Sequence, residues 1–390
     1  MITRDLELEI RQAAENYPVV TVVGPRQSGK TTLVRALFPG KPYRSLENPD
    51  ERAFATEDPR GFLGQFRDGV ILDEVQRVPA LLSYLQGNVD DDPRPGRYIL
   101  TGSQHFLLMR DVSQSLAGRT AVLTLLPLSM AELGDRLANR SMEEVLFGGF
   151  YPRIYDRPIE PYRLLRDYFA TYVERDVRSL LKVHDLHRFE TFLGLCAGRV
   201  GQLLNLTALA ADAGIATTTA REWISLLETS FILFRITPWH ANIGKRLVKM
   251  PKLYFYDVGL AVHLCGVEDA GQLKNHPLKG SFFENLVIGD LLKNRFNHGR
   301  DSRLCFYRDS SGKEVDLLYP LGPDFLPVEI KSGQTVSREW FAGLRTFAKV
   351  RPDSGPPGLV VYGGDQAQQR THGAVCGWRD LPTALKEYAG

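Results

Sequence analysis

Continuous apolar runs alternate with helical stripes along the first third of the chain. Val19-Val20-Thr21-Val22-Val23, Val70-Ile71-Leu72 and Tyr98-Ile99-Leu100 have strand length and no polar alternation. That is the pattern of parallel strands covered on both faces. Between them the apolar period changes. Leu6, Ile10 and Ala13 predict a helix within residues 3–16, and Thr32 to Leu37 predicts another directly after the first strand. Pro39-Gly40 breaks the pattern, Tyr43 to Leu46 reads as a short strand, and the polar stretch from Asn48 to Gly61 reads as turns. A further strand is predicted from Ala121 to Leu126, and Pro127 to Leu133 opens a helix. Strand and helix in alternation predict an α/β fold with a parallel sheet.

The texture then changes twice. Leu164, Leu165, Tyr168, Phe169, Tyr172, Val173, Val177, Leu180 and Leu181 form one apolar stripe, so Pro161 to Lys182 is predicted as an amphipathic helix. It suits a helical lid, and its Glu174-Arg175-Asp176 cluster reads either as a functional patch or as a solvated face. From Gly201 the order is short helix (Leu206 to Ile215), second helix capped by Thr217 to Thr219, strand (Phe231 to Ile236), basic turn (Asn242 to Arg246) and strand (Lys252 to Tyr256). This is a winged helix-turn-helix pattern. After Lys279 come an apolar helix to Leu292 and strands at Leu304 to Tyr307, Lys313 to Tyr319 and Leu326 to Lys331. A helix from Trp340 and a strand at Leu359 to Tyr362 follow, and residues 372–390 carry no clear pattern. The expected domains are 1–137, 138–198, 199–277 and 278–390.

Composition narrows this little. Across 390 residues the net charge is +2, so a nucleic-acid site must be a local patch. Residues 199–256 hold such a patch: Lys or Arg at 199, 221, 235, 245, 246, 249 and 252 against acids at 212, 222 and 228. That excess suits a DNA phosphate backbone. Cys196, Cys265, Cys305 and Cys376 lie far apart without C-x-x-C pairs, which suits reduced thiols in a cytoplasmic protein rather than a zinc site. No apolar run reaches membrane-spanning length, so no membrane partner is expected.

The chemistry concentrates first at Gly24-Pro25-Arg26-Gln27-Ser28-Gly29-Lys30-Thr31-Thr32, which fits G-x-x-x-x-G-K-[ST] between a strand and a helix. Its glycines let several N–H groups face one anion, and the helix N-terminus adds positive potential. Lys30 would reach the β- and γ-phosphates of ATP, and Thr31 would bind Mg²⁺. Val70-Ile71-Leu72-Asp73-Glu74 is a strand ending in two carboxylates. Asp73 is the candidate for holding Mg²⁺ and Glu74 for activating water. Ser103 and Gln104, just past the third strand, are either γ-phosphate sensors or ordinary turn residues around Gly102. Arg119 is either an arginine finger, acting in its own chain or on a neighbour, or a surface residue.

These runs, with Leu116-Ala117-Gly118-Arg119, Leu126 to Leu133, Gly148 to Pro152 and Tyr172 to Val177, resemble a prokaryotic family of AAA+-superfamily ATPases fused to a C-terminal part. The resemblance spans nearly the whole chain. It implies Mg²⁺-dependent ATP hydrolysis and homo-oligomers, and leaves the biological role open.

The second concentration is C-terminal. Glu284 on a helix, Asp316 on a strand and Glu329-x-Lys331 on the next resemble the PD-(D/E)xK nuclease superfamily, so an α/β restriction-endonuclease-like domain is expected. Strand alternation puts Glu329 and Lys331 on one face. Asp316 and Glu329 would bind Mg²⁺ or Mn²⁺, Glu284 would complete the site, Lys331 would stabilise developing charge, and Gln334 would assist. Ser281-x-x-Glu284 also reads as a capping box, and Glu329 with Lys331 as a solvated pair. Two functions follow: an ATP-driven DNA-processing enzyme, or an ATP-dependent regulatory or scaffold protein with an inactive nuclease-like domain.

Overall fold

The computed structural model describes residues 2–103, 115–171, 185–240, 250–351 and 356–389. Gln104, the Tyr172 to Val177 run with its Glu174-Arg175-Asp176 cluster, and the basic turn at 242–246 with Lys249 lie outside the described residues.

Among the described residues the N-terminal sheet has five strands: β1 (Val19–Val23), β2 (Tyr43–Ser45), β3 (Val70–Asp73), β4 (Tyr98–Gly102) and β5 (Thr120–Thr124). They are all parallel, in the order β2-β3-β4-β1-β5. Helices cover both faces, which is why β1, β3 and β4 are apolar without alternation. One face packs on the helices Glu7–Asn16 and Lys30–Leu37 through Leu6, Ile10, Leu33 and Val34. The opposite face belongs to a larger core that continues into the C-terminal half.

The stretch expected as turns, Asn48 to Gly61, is instead two helices, Pro49–Glu57 and Pro59–Gly64. Asn48 accepts a hydrogen bond from the Asp50 N–H, and Asp58 accepts one from Gly61 N–H. Each is followed by proline in the first helical turn. Asn-Pro and Asp-Pro are helix starts as readily as turns.

Among the described residues the second sheet has eight strands in the order β12-β13-β11-β10-β9-β8-β6-β7. They are β6 (Leu233–Pro238), β7 (Lys252–Phe255), β8 (Cys305–Arg308), β9 (Glu314–Leu321), β10 (Asp324–Lys331), β11 (Gly358–Tyr362), β12 (Gln368–Arg370) and β13 (Gly373–Gly377). The last strand, with the helix Leu381–Ala389, occupies the segment that carried no pattern in sequence. The β6–β7 hairpin follows helices Leu186–Ala197, Leu206–Asp212 and Thr217–Thr229. β6 also pairs in parallel with β8 through Thr237 and Pro238. Residues on the two sides of position 277 therefore share one sheet.

The helix Lys279–Asn297 ties the halves together. It buries residues around most of its circumference, including Phe282, Leu286, Asp290 and Lys293. Among the described residues, no helix is long and apolar enough to cross a membrane. The four cysteines are unbridged, three of them buried.

Candidate nucleotide site and C-terminal charge cluster

The sheet topology brings the first candidate set together. β1 ends at Val23, and the chain turns through Gly24 to Gly29 into the helix Lys30–Leu37. Gly24 has φ +152°, and a Cβ there would stand 2.0 Å from the Leu125 carbonyl oxygen. Only glycine lets the loop leave the strand so close to β5. Gln27 is held at φ +61°, an uncommon conformation for a side-chain-bearing residue. The Lys30 ammonium lies inside the loop and donates to the carbonyls of Gly24 and Pro25 at 2.9 and 2.7 Å. Burial pushes its pKa down to about 8.

Asp73 ends β3 and collects three hydroxyls. Thr31 Oγ1 donates at 3.0 Å, Tyr43 Oη at 2.7 Å, and Thr101 Oγ1 also donates. Tyr43 and Thr101 come from the strands on either side of β3, so the carboxylate is fixed from both flanks. The sequence offered no sign of Tyr43. Thr101 was legible only as the polar end of a strand in register with β3.

Glu74 follows at φ +56°. Its carboxylate accepts from Ser103 Oγ at 2.8 Å and from the Gln76 amide. Ser103 thus reaches Glu74 and not the loop. Backbone held in the left-handed region by a non-glycine residue is typical of functional sites.

A cavity of about 790 Å³ opens beside the loop. Gln27, Gly29, Lys30, Thr31, Thr32 and Glu74 line it, with Arg153 and Arg157 facing from the Pro152–Asp156 helix and the residue beyond it. Arg26 lines it too, and pairs with Glu47 at 3.1 Å. The fit to a nucleotide phosphate rests on the loop itself. Ser28 Oγ and Gln27 Oε1 are buried in it without a hydrogen-bond partner among the described residues. The Lys30 ammonium, with no carboxylate bonded to it among the described residues, is turned onto loop carbonyls. The ammonium and the Ser28 hydroxyl match a polyanion, and the adjacent Thr31 and Asp73 oxygens match a hard cation such as Mg²⁺.

Arg119 is elsewhere. It precedes Thr120, which is paired with Val19 at the start of β1. The P-loop leaves the other end of that strand, roughly 16 Å away at the usual strand rise. Arg119 forms a two-pronged pair with Asp90, at 2.6 and 3.0 Å. The expectation of a finger acting within its own chain is therefore corrected: Arg119 lies on the opposite edge of the sheet.

The basic patch is also reduced. Arg199 pairs with Asp212, Arg235 pairs with Glu228 at 2.6 Å, and Lys252 is buried inside the C-terminal cluster. Of the described basic residues counted in that segment, Arg221 is the one not engaged in this way. Counting charges by sequence did not reveal their partners.

The C-terminal candidates converge, with a different arrangement from the expected three-carboxylate site. Lys331 Nζ donates to Asp316 Oδ2 and Glu329 Oε2, each at 2.8 Å. Asp316 also accepts from the Ile330 N–H at 2.7 Å. Gly343, near the start of the helix Ala342–Val350, packs its backbone on Glu329, since a Cβ there would stand 2.0 Å from Glu329 Oε1. Glu284 is turned to other partners: it accepts from Tyr254 Oη at 2.6 Å and from Lys252 Nζ at 3.1 Å. Lys252 also meets Glu314 at 2.5 Å.

Among the described residues, no three or more His, Cys, Asp or Glu side chains gather as a metal-binding group. The expectation that Glu284 completes a metal site is corrected, because an ammonium and a phenol both donate to its Oε1 and no metal-binding group gathers around it among the described residues. Ser281 is the third residue of a helix that begins at Lys279, so the capping-box reading does not hold either. Gln334 is exposed beyond the end of β10.

Electrostatics follow from this packing. Burial, then the neighbouring Asp316, push Glu329 up to about 8. Asp316 is held below its ordinary value because Lys331 and Lys252 more than offset its burial. Burial opposes the charge on Lys331, and Asp316 and Glu329 raise it nonetheless. Lys252 and Tyr254, which sequence reasoning missed, belong to this cluster. Their strand gave no signal beyond alternation.

Comparison with known proteins agrees with the first site. Residues 16–134 match a family model described as an AAA domain. Residues 139–271 and 279–381 each match a domain of unknown function, DUF8612 and DUF4143. The chain is 34% identical over 340 residues to the uncharacterized protein Rv2008c of Mycobacterium tuberculosis, covering 86% of this chain and 75% of that one. It is 24% identical over 246 residues to an uncharacterized protein of Haemophilus influenzae, covering 58% of each. Among solved structures, the Walker-type ATPase PABY2304 of Pyrococcus abyssi aligns at 16% identity and a TM-score of 0.46, over 68% of this chain and 96% of that one. With Lys30, Thr31 and Asp73 gathered at the end of a parallel sheet, the chain belongs to the family of the mycobacterial Rv2008c protein and carries an AAA-type P-loop ATPase domain.

Proposed function

We propose that the protein is a Mg²⁺-dependent ATP hydrolase whose turnover is coupled to a nucleic-acid phosphodiester site in its C-terminal half. The observation that carries the hydrolase reading is the contact between Thr31 and Asp73 beside the buried Lys30. Thr31 and Asp73 would hold the Mg²⁺ of Mg·ATP, which when bound neutralises phosphate charge. The N–H groups of residues 26–32 cradle the phosphates, and Lys30 turns from its loop carbonyls to them. Glu74, fixed by Ser103 and Gln76, orients the attacking water and takes its proton.

Arg119 faces away from its own nucleotide, so in this reading it serves a second copy of the chain. Arg119→Ala then lowers turnover by at least about 100-fold while ATP still binds. Mixing it with Lys30→Ala protein, which keeps Arg119, restores part of the activity. Unchanged turnover in Arg119→Ala would remove the residue from the mechanism.

For the C-terminal half, the support is the convergence of Asp316, Glu329 and Lys331 from adjacent strands. Two carboxylates suffice for Mg²⁺ or Mn²⁺ where substrate phosphate supplies further ligands. The segment 138–198 acts as a helical lid. The helices at 206–229 with the β6–β7 hairpin act as a winged helix that presents DNA. A second reading, an ATP-dependent regulatory or scaffold protein, is favoured by the ammonium groups already paired with Glu284 and Asp316. One experiment separates them. The full chain with ATP and Mg²⁺ or Mn²⁺ is offered linear, branched and single-stranded DNA, beside Asp316→Ala and Lys331→Ala. Cleavage lost in both variants supports the first reading; intact DNA with sustained ATP turnover supports the second.

A further inference from the structure

The segment between β5 and the first lid helices is gripped from two directions. From one side comes Arg4, 6% exposed. Its guanidinium donates to the Ser28 carbonyl at 2.7 Å, the Leu126 carbonyl at 2.7 Å and Glu132 Oε1 at 2.9 Å. Ser28 is a residue of the phosphate loop. Glu132 closes a capping box with Ser129 at the start of the short helix Met130–Leu133. From the other side comes the Lys279–Asn297 helix. Asp290 accepts from the Met130 N–H at 2.6 Å, and Lys293 donates to the Leu128 carbonyl at 2.9 Å. Lys293 also lies 4.0 Å from the Phe150 ring centre.

Ser28, Arg4, Glu132, the 126–130 backbone, Asp290 and Lys293 thus form one buried polar chain. Every side chain in it is less than a tenth exposed. Charges this deep are held by specific partners in fixed geometry, so a shift at one end must be accommodated at the next. The far end is a continuous helix. Six residues before Asp290, about 9 Å along its axis, it carries Glu284 of the C-terminal cluster.

We propose that this chain couples nucleotide binding at the phosphate loop to the Lys279–Asn297 helix, with Arg4 and Asp290 as positioning residues for the loop. The proposal rests on the nucleotide site described above. A phosphate entering the loop draws on the N–H groups around Ser28, whose carbonyl Arg4 holds. The guanidinium fork links that carbonyl to Leu126 and Glu132, and Asp290 and Lys293 read the same backbone from the other side. Coupling of this kind is reciprocal, so a break at Asp290 must also weaken nucleotide binding.

Hydrogen exchange on the full chain tests this, with Mg²⁺ and a non-hydrolysable ATP analogue. The analogue should slow exchange in peptides from the phosphate loop, from 126–134 and from 286–294. The helix peptide should slow by about fivefold, the low end of ordinary coupling. Arg4→Lys, which keeps the charge and loses the planar three-way fork, should retain protection at the phosphate loop and lose it at 286–294. Asp290→Ala breaks the chain at its other end. It should give the same loss and weaken analogue binding by about fivefold, although Asp290 does not line the nucleotide cavity. Slowing confined to the phosphate loop in the unaltered protein overturns the proposal, as does a helix response that survives both substitutions. No slowing anywhere overturns the nucleotide site itself.

Discussion

Lys30→Ala should lower ATP turnover by at least about 100-fold, the usual cost of losing one preorganised donor to developing phosphate charge. The loss should be larger in kcat than in KM, because the ammonium gains most where the transferred phosphoryl group gathers charge. The unaltered site adds a pH signature. Burial holds Lys30 at about 8, below the ordinary lysine value. Between pH 8 and about 10.4 the folded protein releases a proton that the unfolded chain keeps, so the Lys30 contribution to stability rises with pH there. Nucleotide binding has the opposite trend. Phosphate favours the charged form, so KM for ATP should be flat below pH 8 and rise above it, by up to about tenfold per pH unit. Steady-state rates from pH 6.5 to 9.5 read this directly. A flat KM through pH 9.5, or sustained turnover in Lys30→Ala, would show that this ammonium does not address the phosphates.

The nucleotide site was legible because its signals are local. A β-branched run, a glycine-bounded loop and a helix start are contiguous from Val19 to Leu37, and Asp73 stands at the end of an unmistakable buried strand. What the sequence could not carry was distance across the fold. Arg119 lies next to a strand that neighbours β1, yet the parallel register puts it at the wrong end. Asn48-Pro49 and Asp58-Pro59 have turn chemistry that also starts helices, and the buried Ala55 and Phe62 decided the outcome. Lys252 looked like one more cation of a basic patch. Its burial depends on β7 joining the sheet of β8 and β9 through β6, whose Thr237 pairs with the distant Cys305. Arg4 gave no signal because its partners, Ser28, Leu126 and Glu132, are spread over the whole ATPase domain.

Lys252→Met should cost about 3 kcal/mol of stability, the lower range for removing one partner of a buried ion pair. Lys252 is 4% exposed and stands between Glu284 at 3.1 Å and Glu314 at 2.5 Å. Burial works against its charge, but the carboxylates of Glu284, Glu314 and Asp316 raise its pKa above the ordinary lysine value. Its stabilisation is therefore fully present below about pH 10.4, and the measurement belongs at neutral pH. Methionine keeps most of the volume and the packing on Phe306, so the loss reports charge rather than a cavity. Without the ammonium, Glu284 faces Asp316 uncompensated, and burial already raises its pKa. The melting temperature should fall by roughly 4 °C. Adding Glu284→Gln, which removes the stranded charge and keeps an acceptor for Tyr254, should recover about half of that loss. The double-mutant cycle then gives a coupling of at least about 1 kcal/mol. Additive effects would mean that Lys252 stabilises by packing alone. Coupling would instead identify the hairpin before position 277 and the strands after it as one electrostatic unit, so that any phosphate entering the cluster meets an ammonium supplied by β7 beside the one supplied by β10.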